Sequence, residues 1–427
     1  MVNLSYPRKR KLQIYLIAAL LAILCCILVA CNSDNSYSVA GENVSEPTHF
    51  MAKFMITINN ALGGGVASFG WTVVLFTVIL RLILSPLDIW QKVISRRNNK
   101  AMERMKPQLE ALQARYADDK QRLQQEQMAL YKKEKYSTMG MCLPTIVTFV
   151  VFFVVFAGFR QMVGYQFAKD YKECVKAYNT SISEQIEQKL NSGEDVDFII
   201  PLAEGQKQYT IADNIRKTEA GALFINGTDV QKGIKEIAQE KVYKAYYSED
   251  QITIRSFLWI KNIFVSDNWA QAVPDFATVT GQKGMATSKL TGITIDEYND
   301  VMADVLGTGG YGKDGKWNGL LILPILSIAL SFLSTKLLSG SQAQPPAPPQ
   351  DAQGEGAEKA KSQQQTMKMM QYVMPIMMGV FALFYSGAFA LYMFTSSLCA
   401  ILFQLTFNLI AKLVDKSREG ASGVAKR

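Results

Sequence analysis

Residues Phe69 to Trp90 read FGWTVVLFTVILRLILSPLDIW, an apolar run long enough to cross a membrane as a helix. The first charge in this run is Arg81, and Asp88 marks its aqueous end. At ~1.5 Å rise per residue, Arg81 lies ~10 Å inside that boundary. An arginine at mid-bilayer costs ~2.5–3.5 kcal/mol on insertion scales, so such residues usually face a bundle interior or a water-filled cavity. The run therefore predicts a cation that faces a cavity; the alternative is a side chain that snorkels to the interface.

Polar residues one helical turn on either side of Arg81 give this helix a polar stripe. Thr77 and Ser85 lie four residues before and after the arginine, so the three share a face. Pro86 removes the helical donor to the Leu82 carbonyl and predicts a kink close to the charge. A later apolar run has a second stripe at four-residue spacing, formed by Ser327, Ser331 and Thr335. The last two runs add Thr395, Ser396, Gln404 and Asn408.

Five apolar runs besides the N-terminal one lie at about 69–88, 141–160, 319–337, 371–386 and 389–411. They predict an all-α polytopic membrane protein for this chain of 427 residues. The formal net charge of +8 does not indicate nucleic-acid binding, because the charge differs between segments. Segment 91–140 holds 12 Lys/Arg against 6 Asp/Glu, whereas 163–318 holds 17 against 22. The positive-inside rule then places 91–140 and the C-terminus in the cytoplasm and 163–318 outside.

The N-terminal segment is typical of a signal sequence, with RKRK at 8–11 followed by an apolar run at 12–30. The run ends Leu28-Val29-Ala30-Cys31, which resembles a lipobox, where signal peptidase II cleaves before a lipidated cysteine. We therefore expect Cys31 to be lipidated and to become an N-terminus outside the cell membrane. An uncleaved signal anchor with a chance cysteine is the alternative.

Residues 91–135 predict an antiparallel helical hairpin in the cytoplasm. The turn signal is 117–119, and Pro107 is expected near the start of the first arm. The apolar faces of the two arms are Leu109, Leu112 and Tyr116, and Leu123, Ala129 and Leu130. Segment 48–62 predicts a helix on the outer membrane surface with an apolar face at Phe50, Phe54, Ile58 and Leu62.

Residues 163–254 have the composition of a soluble, mostly helical insert, in which 229–247 is the clearest helix. Its acidic residues lack metal-ligand spacing and are expected on a solvated surface. Cys174 is the one cysteine of the outer region, so no disulfide within it is expected. The single histidine, His49, argues against histidine-based catalysis and metal clusters, so neither an enzyme nor a cofactor is expected.

The order of these features resembles the YidC/Oxa/Alb family of membrane protein insertases. The matching motifs are RLILSPL at 81–87, the hairpin 102–135 with CLP at 142–144, FLWI at 257–260 and MQYVMPIM at 370–377. Together they cover about 50–162 and 255–412. The chain departs from the family at Ser137-Thr138 and Met393 and in its longer outer loop. The lipoprotein-type N-terminus resembles members from bacteria with a single membrane.

The resemblance implies a five-transmembrane-helix core with a cytoplasmic hairpin, an enlarged outer loop domain and a polar substrate groove. The implied groove residues are Arg81, Thr77, Ser85, Ser327, Ser331, Thr395 and Gln404. Implied partners are nascent membrane proteins and the lipid bilayer, with the Sec translocon and the ribosome as further candidates. The expected segments are signal peptide 1–30, outer tether and interfacial helix 31–62, first transmembrane helix 63–90, hairpin 91–140, second helix 141–162, outer insert 163–254, interfacial segment 255–318, third helix 319–338, linker 339–369, fourth and fifth helices 370–412, and basic tail 413–427.

Two other functions remain open on the sequence alone. An anion transporter or channel could use Arg81 as its binding residue, although transporters of this size usually have more spans and internal repeats. An intramembrane enzyme has less support, because the spans contain no paired aspartates and no HExxH motif.

Overall fold

The computed structural model describes residues 36–38, 44–64, 68–116, 119–136, 138–192, 232–247, 255–269, 271–282, 289–307, 317–339, 376, 379–380 and 382–424. In chain order its elements are β1 (Ser36–Ser38), α1 (Phe50–Ala61), α2 (Phe69–Arg115), α3 (Lys120–Lys133), α4 (Thr138–Asn191), α5 (Lys232–Tyr246), α6 (Phe276–Val279), β2 (Lys289–Thr291), α7 (Ile295–Val301), α8 (Ala303–Gly307), α9 (Ile322–Ser339) and α10 (Gly387–Val424). The two short strands pair in parallel, with Ser36 opposite Lys289. The predicted all-α class is confirmed.

Three helices in the described part of the chain are long and apolar enough to cross a membrane. They are Phe69–Arg115, Val150–Gln185 and Gly387–Val414, and Ile322–Ser334 is a shorter apolar helix. The chain is therefore a multi-pass membrane protein. Half of the run at 371–386 lies outside the described residues, so the count of five spans and the segment boundaries stay predictions.

Helix α2 continues without interruption from the apolar run into the first arm of the hairpin. Its 47 residues extend about 70 Å, and Pro107 lies inside it rather than near the start of an arm. Asp119 caps the N-terminus of α3 by accepting a hydrogen bond from the Arg122 backbone N–H at 2.9 Å. The two arms pack through a buried cluster of Ala101, Met102, Met105, Leu109 and Leu130. The helical pair is thus confirmed, and most of its core comes from a stretch earlier than the predicted apolar residues.

The chain folds as two units. The first unit comprises Met1–Val73, Val150–Ile322 and Ala382–Leu391, and the second comprises Val74–Phe149, Leu323–Phe381 and Tyr392–Arg427. In the first unit, Phe152, Phe156 and Phe159 of α4 pack against aromatic rings at the start of α10. The centroids of Phe156 and Tyr385 are 4.6 Å apart. The aromatic content of the second apolar run therefore serves packing.

The insert of the first unit contains a buried ion pair, which corrects the expectation that its acidic residues are solvated. Asp170 on α4 accepts from Arg255 Nε at 2.9 Å, and both side chains are almost fully buried. The Arg255 guanidinium also lies 4.2 Å from the centre of the Tyr246 ring, at the end of α5. Burial alone would lower the pKa of Arg255, but Asp170 raises it above its ordinary value. The pair fastens α5, the helix predicted at 229–247, to the extension of α4.

Helix α1 is confirmed, but its protein-facing side differs from the predicted apolar stripe. Ala52, Met55 and Ile58 are buried, whereas Phe50 and Leu62 stay exposed. His49 caps the helix through Nδ1, which accepts from the Met51 backbone N–H, and burial lowers the pKa of this histidine. The four-residue spacing of apolar residues predicted the helix correctly. The spacing could not predict which apolar side chains pack against the rest of the protein and which remain exposed.

Candidate functional site

The Arg81 side chain lies in the second unit, half-buried on α2, and meets α10 there. Its Nε donates to the Ser396 hydroxyl at 2.9 Å, and its Nη2 donates to the same oxygen. Tyr392, one turn before Ser396, also hydrogen-bonds that serine. The charge is thus held between two transmembrane helices by one neutral hydroxyl group, that of Ser396.

One carboxylate stands near the guanidinium. Asp88 Oδ2 is 3.7 Å from Arg81 Nη1, beyond hydrogen-bonding distance, and both side chains retain nearly a fifth of their exposure, 19% and 18%. Seven residues are two turns of a helix, so Asp88 lies on the face of α2 that carries Arg81. A partly exposed pair at this separation contributes ~0–1 kcal/mol. The contact is weak enough for a second anion to compete for the arginine.

Ser85 satisfies a backbone carbonyl left by Pro86. Its hydroxyl donates to the Leu82 carbonyl at 2.8 Å, and this carbonyl is the one that Pro86 deprives of its helical donor. Ser85 lies on the expected face of α2, but its hydroxyl donates its hydrogen bond to the backbone of the same helix. Thr77, one turn before Arg81, is fully buried.

Two consecutive serines of α10 connect it to two other helices. Ser396 meets Arg81 on α2, and the Ser397 hydroxyl lies 3.0 Å from the Ser331 hydroxyl on α9. Ser327, one turn before Ser331, is buried. Three apolar helices therefore share polar contacts at one level. One residue of each predicted stripe, Arg81 on α2 and Ser331 on α9, contacts α10 at this level.

The remaining predicted groove residues lie on α10. Thr395 is buried, but it is Ser396, its neighbour, that contacts Arg81. Gln404 is also buried, two turns further along, and its amide nitrogen donates to Asn408 Oδ1 at 3.0 Å. Among the described residues, neither Thr395 nor Gln404 hydrogen-bonds to Arg81. Cys31, proposed for lipidation, lies outside the described residues, as does the Thr335 side chain.

Three residues of this site were missed as groove residues by the sequence analysis: Asp88, Ser396 and Ser397. The run Thr395-Ser396-Ser397 gave a signal, since three polar residues in an apolar helix are unusual. The rotation of α10 about its axis decides which of these three residues faces α2. The sequence alone does not reveal that rotation. Asp88 was taken only as a boundary marker.

The arrangement can bind an anion reversibly. A planar guanidinium presents five N–H donors and keeps its charge at every physiological pH. Here its partners are one hydroxyl and a carboxylate 3.7 Å away, so the guanidinium retains N–H donors for an incoming carboxylate. No group of three or more His, Cys, Asp or Glu side chains suited to a metal ion occurs among the described residues.

Comparison with known proteins gives one family and many relatives. The family described as 60Kd inner membrane protein matches residues 61–212 and 240–414. The membrane protein insertase YidC of Bordetella pertussis is 36% identical over 106 residues, 25% of this chain and 18% of the relative. The YidC proteins of Ectopseudomonas mendocina and Legionella pneumophila (strain Corby) are 34% and 33% identical over 107 residues, again 25% of this chain and 18% of each relative. These matches thus span less than a fifth of the relatives' length.

Proposed function

The chain belongs to the 60Kd inner membrane protein family, the YidC/Oxa/Alb family, and on this premise we propose that it inserts membrane proteins into the bilayer through a polar groove lined by Arg81. The residues proposed for that groove are Arg81, Thr77, Ser85, Ser327, Ser331, Thr395 and Gln404, together with Ser396 and Ser397. The observation that carries the proposal is the half-buried Arg81 at a level where α2, α9 and α10 share hydroxyl contacts.

The groove lowers the cost of moving a polar tail into the membrane. The translocated tail of a small membrane protein loses hydration when it enters hydrocarbon, and a carboxylate loses most. An opposite charge ~4 Å away offers a Coulomb attraction of at most ~4 kcal/mol at an effective dielectric of ~20, from which the cost of desolvating the arginine is subtracted. Hydroxyls beside the arginine replace part of the lost water. The apolar segment of the substrate then partitions into lipid and drives the reaction, so that no nucleotide is needed.

The direction of the helices supports the five-span topology. Arg81 meets Ser396, and beyond these residues the later parts of both helices, around Ser95 and Gln404, line one cavity. Helices α2 and α10 therefore run in the same direction. In a five-span chain the first and fifth spans cross the membrane in the same sense. The proposed orientation places the mature N-terminus outside the plasma membrane and the basic tail in the cytoplasm, with Cys31 lipidated.

The nascent membrane protein is the proposed substrate, and the Sec translocon and the ribosome are proposed partners. The hairpin of α2 and α3 offers a charged surface, and the tail beyond Lys412 is basic. Either element would suit a partner on the cytoplasmic side. An anion transporter or channel that uses Arg81 is the competing proposal.

Reconstitution of the purified full chain into liposomes tests the proposal. A small single-span substrate with an acidic tail is added, and protection of that tail from external protease is measured. We expect protection in liposomes that contain the chain and none in empty liposomes, and no flux of chloride or phosphate. Anion flux without tail protection would contradict the proposal and favour the transporter.

A further inference from the structure

A cavity of ≈ 520 Å³ lies between α2 and α10, on the boundary side of the Arg81 level. Lys92 contributes to one wall and Lys412 to the other. Lys92 is the first basic residue after the first apolar run, and Lys412 is the first charge after the last one. The cavity therefore lies at one boundary between the hydrocarbon of the membrane and water. This placement does not depend on the orientation of the chain.

The α2 wall of the cavity is strongly basic. Lys92, Arg96 and Lys100 are spaced four residues apart and so lie on one face of the helix. With Lys412 opposite, four cations face a single carboxylate, that of Glu103. Such an excess of positive charge in a partly enclosed space favours an anionic ligand.

Uncharged hydrogen-bonding groups accompany the cations. Ser95 and Asn99 are buried on α2, and Gln404 and Asn408 lie on α10, where they hydrogen-bond to each other. An anion with several acceptor oxygens would find donors on both walls. A phosphate group has that chemistry.

The α10 wall adds an apolar element that a free anion would not use. Leu405 and Leu409 line the cavity and are 49% and 62% exposed. Leu402, one turn towards the middle of the span, is also exposed and lies on the same side. An exposed leucine stripe leads from the cavity into the hydrocarbon, along the path an acyl chain would take.

We propose that this cavity binds the phosphodiester headgroup of an acidic phospholipid, with its acyl chains along Leu402, Leu405 and Leu409. Basic pockets between transmembrane helices at the membrane surface are suited to such headgroups. An acidic segment of a translocating chain would use the same cations. The leucine stripe favours the lipid, because it begins in the cavity itself and so suits a ligand whose anionic group is joined directly to hydrocarbon chains.

Native mass spectrometry of the full chain in equal amounts of phosphatidylglycerol and phosphatidylcholine tests this site. The wild type should retain phosphatidylglycerol in preference. Arg96→Gln should lower that preference about fivefold, since each basic group near the surface contributes about that factor. Arg97→Gln is the matched control, because Arg97 is exposed, adjacent and equally charged but does not line the cavity. The Arg97→Gln variant should change the preference for phosphatidylglycerol less than twofold.

Three further outcomes would overturn the proposal. If sn-glycerol 3-phosphate or inorganic phosphate displaces phosphatidylglycerol as effectively as the intact lipid does, the site recognises a free phosphate. If the wild type shows no preference between the two lipids while an acidic substrate tail crosslinks at position 96, the cavity serves the substrate. Equal loss in Arg96→Gln and Arg97→Gln would reduce the effect to general surface charge. Matching thermal unfolding of the two variants excludes misfolding as the cause of any difference.

Discussion

Two arginines, one in each unit, illustrate two uses of a buried positive charge. Arg255 in the first unit is 7% exposed, donates to Asp170 at 2.9 Å and stacks on Tyr246. Arg81 in the second unit is 19% exposed, donates to a neutral serine and has its carboxylate at 3.7 Å. The first charge is fully neutralised within the fold. The second is held in place but only weakly neutralised, which leaves it able to interact with a passing anion.

The contrast teaches that burial alone does not identify a functional charge. Arg255 is the more buried of the two, yet its hydrogen bonds to Asp170 and to the Tyr246 carbonyl explain its position, because they join α5 to α4. Arg81 costs more to place in an apolar helix and receives less compensation from the fold. A charge kept at such a cost, with its nearest carboxylate beyond hydrogen-bonding distance, is the better candidate for a role outside folding.

The largest expected effect is on stability and concerns Arg255. Arg255→Ala leaves the Asp170 carboxylate buried without its partner, which should lower the free energy of unfolding by ~3–5 kcal/mol. Arg81→Ala should cost less, ~1.5–3 kcal/mol, because it removes the hydrogen bonds of a charged guanidinium to one hydroxyl and leaves no carboxylate buried without a close partner. Urea unfolding of the full chain in detergent measures both. The double variant Arg255→Met with Asp170→Leu should recover most of the loss, and an Arg255→Ala variant as stable as wild type would remove the contrast.

A smaller effect is expected at Asp88, on activity. Asp88→Asn keeps the shape and removes the negative charge 3.7 Å from Arg81. Insertion of substrates with acidic tails should become about two- to fivefold faster, equivalent to ~0.5–1 kcal/mol for a partly exposed pair, while neutral tails should be unaffected. Glu110→Gln, an exposed acidic position on the same helix, is the matched control. Slower insertion of both kinds of tail in Asp88→Asn would mean that Asp88 supports the fold of the site.

An effect of similar size, but on stability, is expected at Ser85. Ser85→Ala leaves the Leu82 carbonyl, which has no helical donor because of Pro86, without a partner, and should lower the free energy of unfolding by ~0.5–1 kcal/mol. Thr406→Ala is the control, since its hydroxyl donates to the Leu402 carbonyl in a regular helical turn. We expect a smaller loss there by urea unfolding. The ratio of acidic-tail to neutral-tail insertion should stay constant in Ser85→Ala, and a selective loss for acidic tails would place Ser85 in contact with the substrate.

The sequence predicted most of the helices because apolar runs, turn residues and caps act locally. Phe69–Trp90, Asp119 and segment 229–247 all gave signals that the structure confirms. The contacts that define the site depend instead on how helices rotate about their axes. Nothing local distinguishes Thr395 from Ser396, and the Asp170–Arg255 pair joins residues 85 positions apart. The sequence could therefore propose a cation in the membrane but could not supply its partners.

The central claim is that the charge of Arg81 acts on the translocated tail, and one comparison tests it most directly. Wild type, Arg81→Lys and Arg81→Gln are reconstituted in liposomes at matched protein levels, and insertion is measured for one substrate with an acidic or a neutral tail. The lysine keeps the charge and loses the planar fork, so substantial activity should remain with both tails. The glutamine should slow acidic tails at least tenfold more than neutral ones, which is ~1.4 kcal/mol of the ~4 kcal/mol available to a close pair. Equal loss for the two tails, or full insertion of acidic tails by stable Arg81→Gln, would contradict the account.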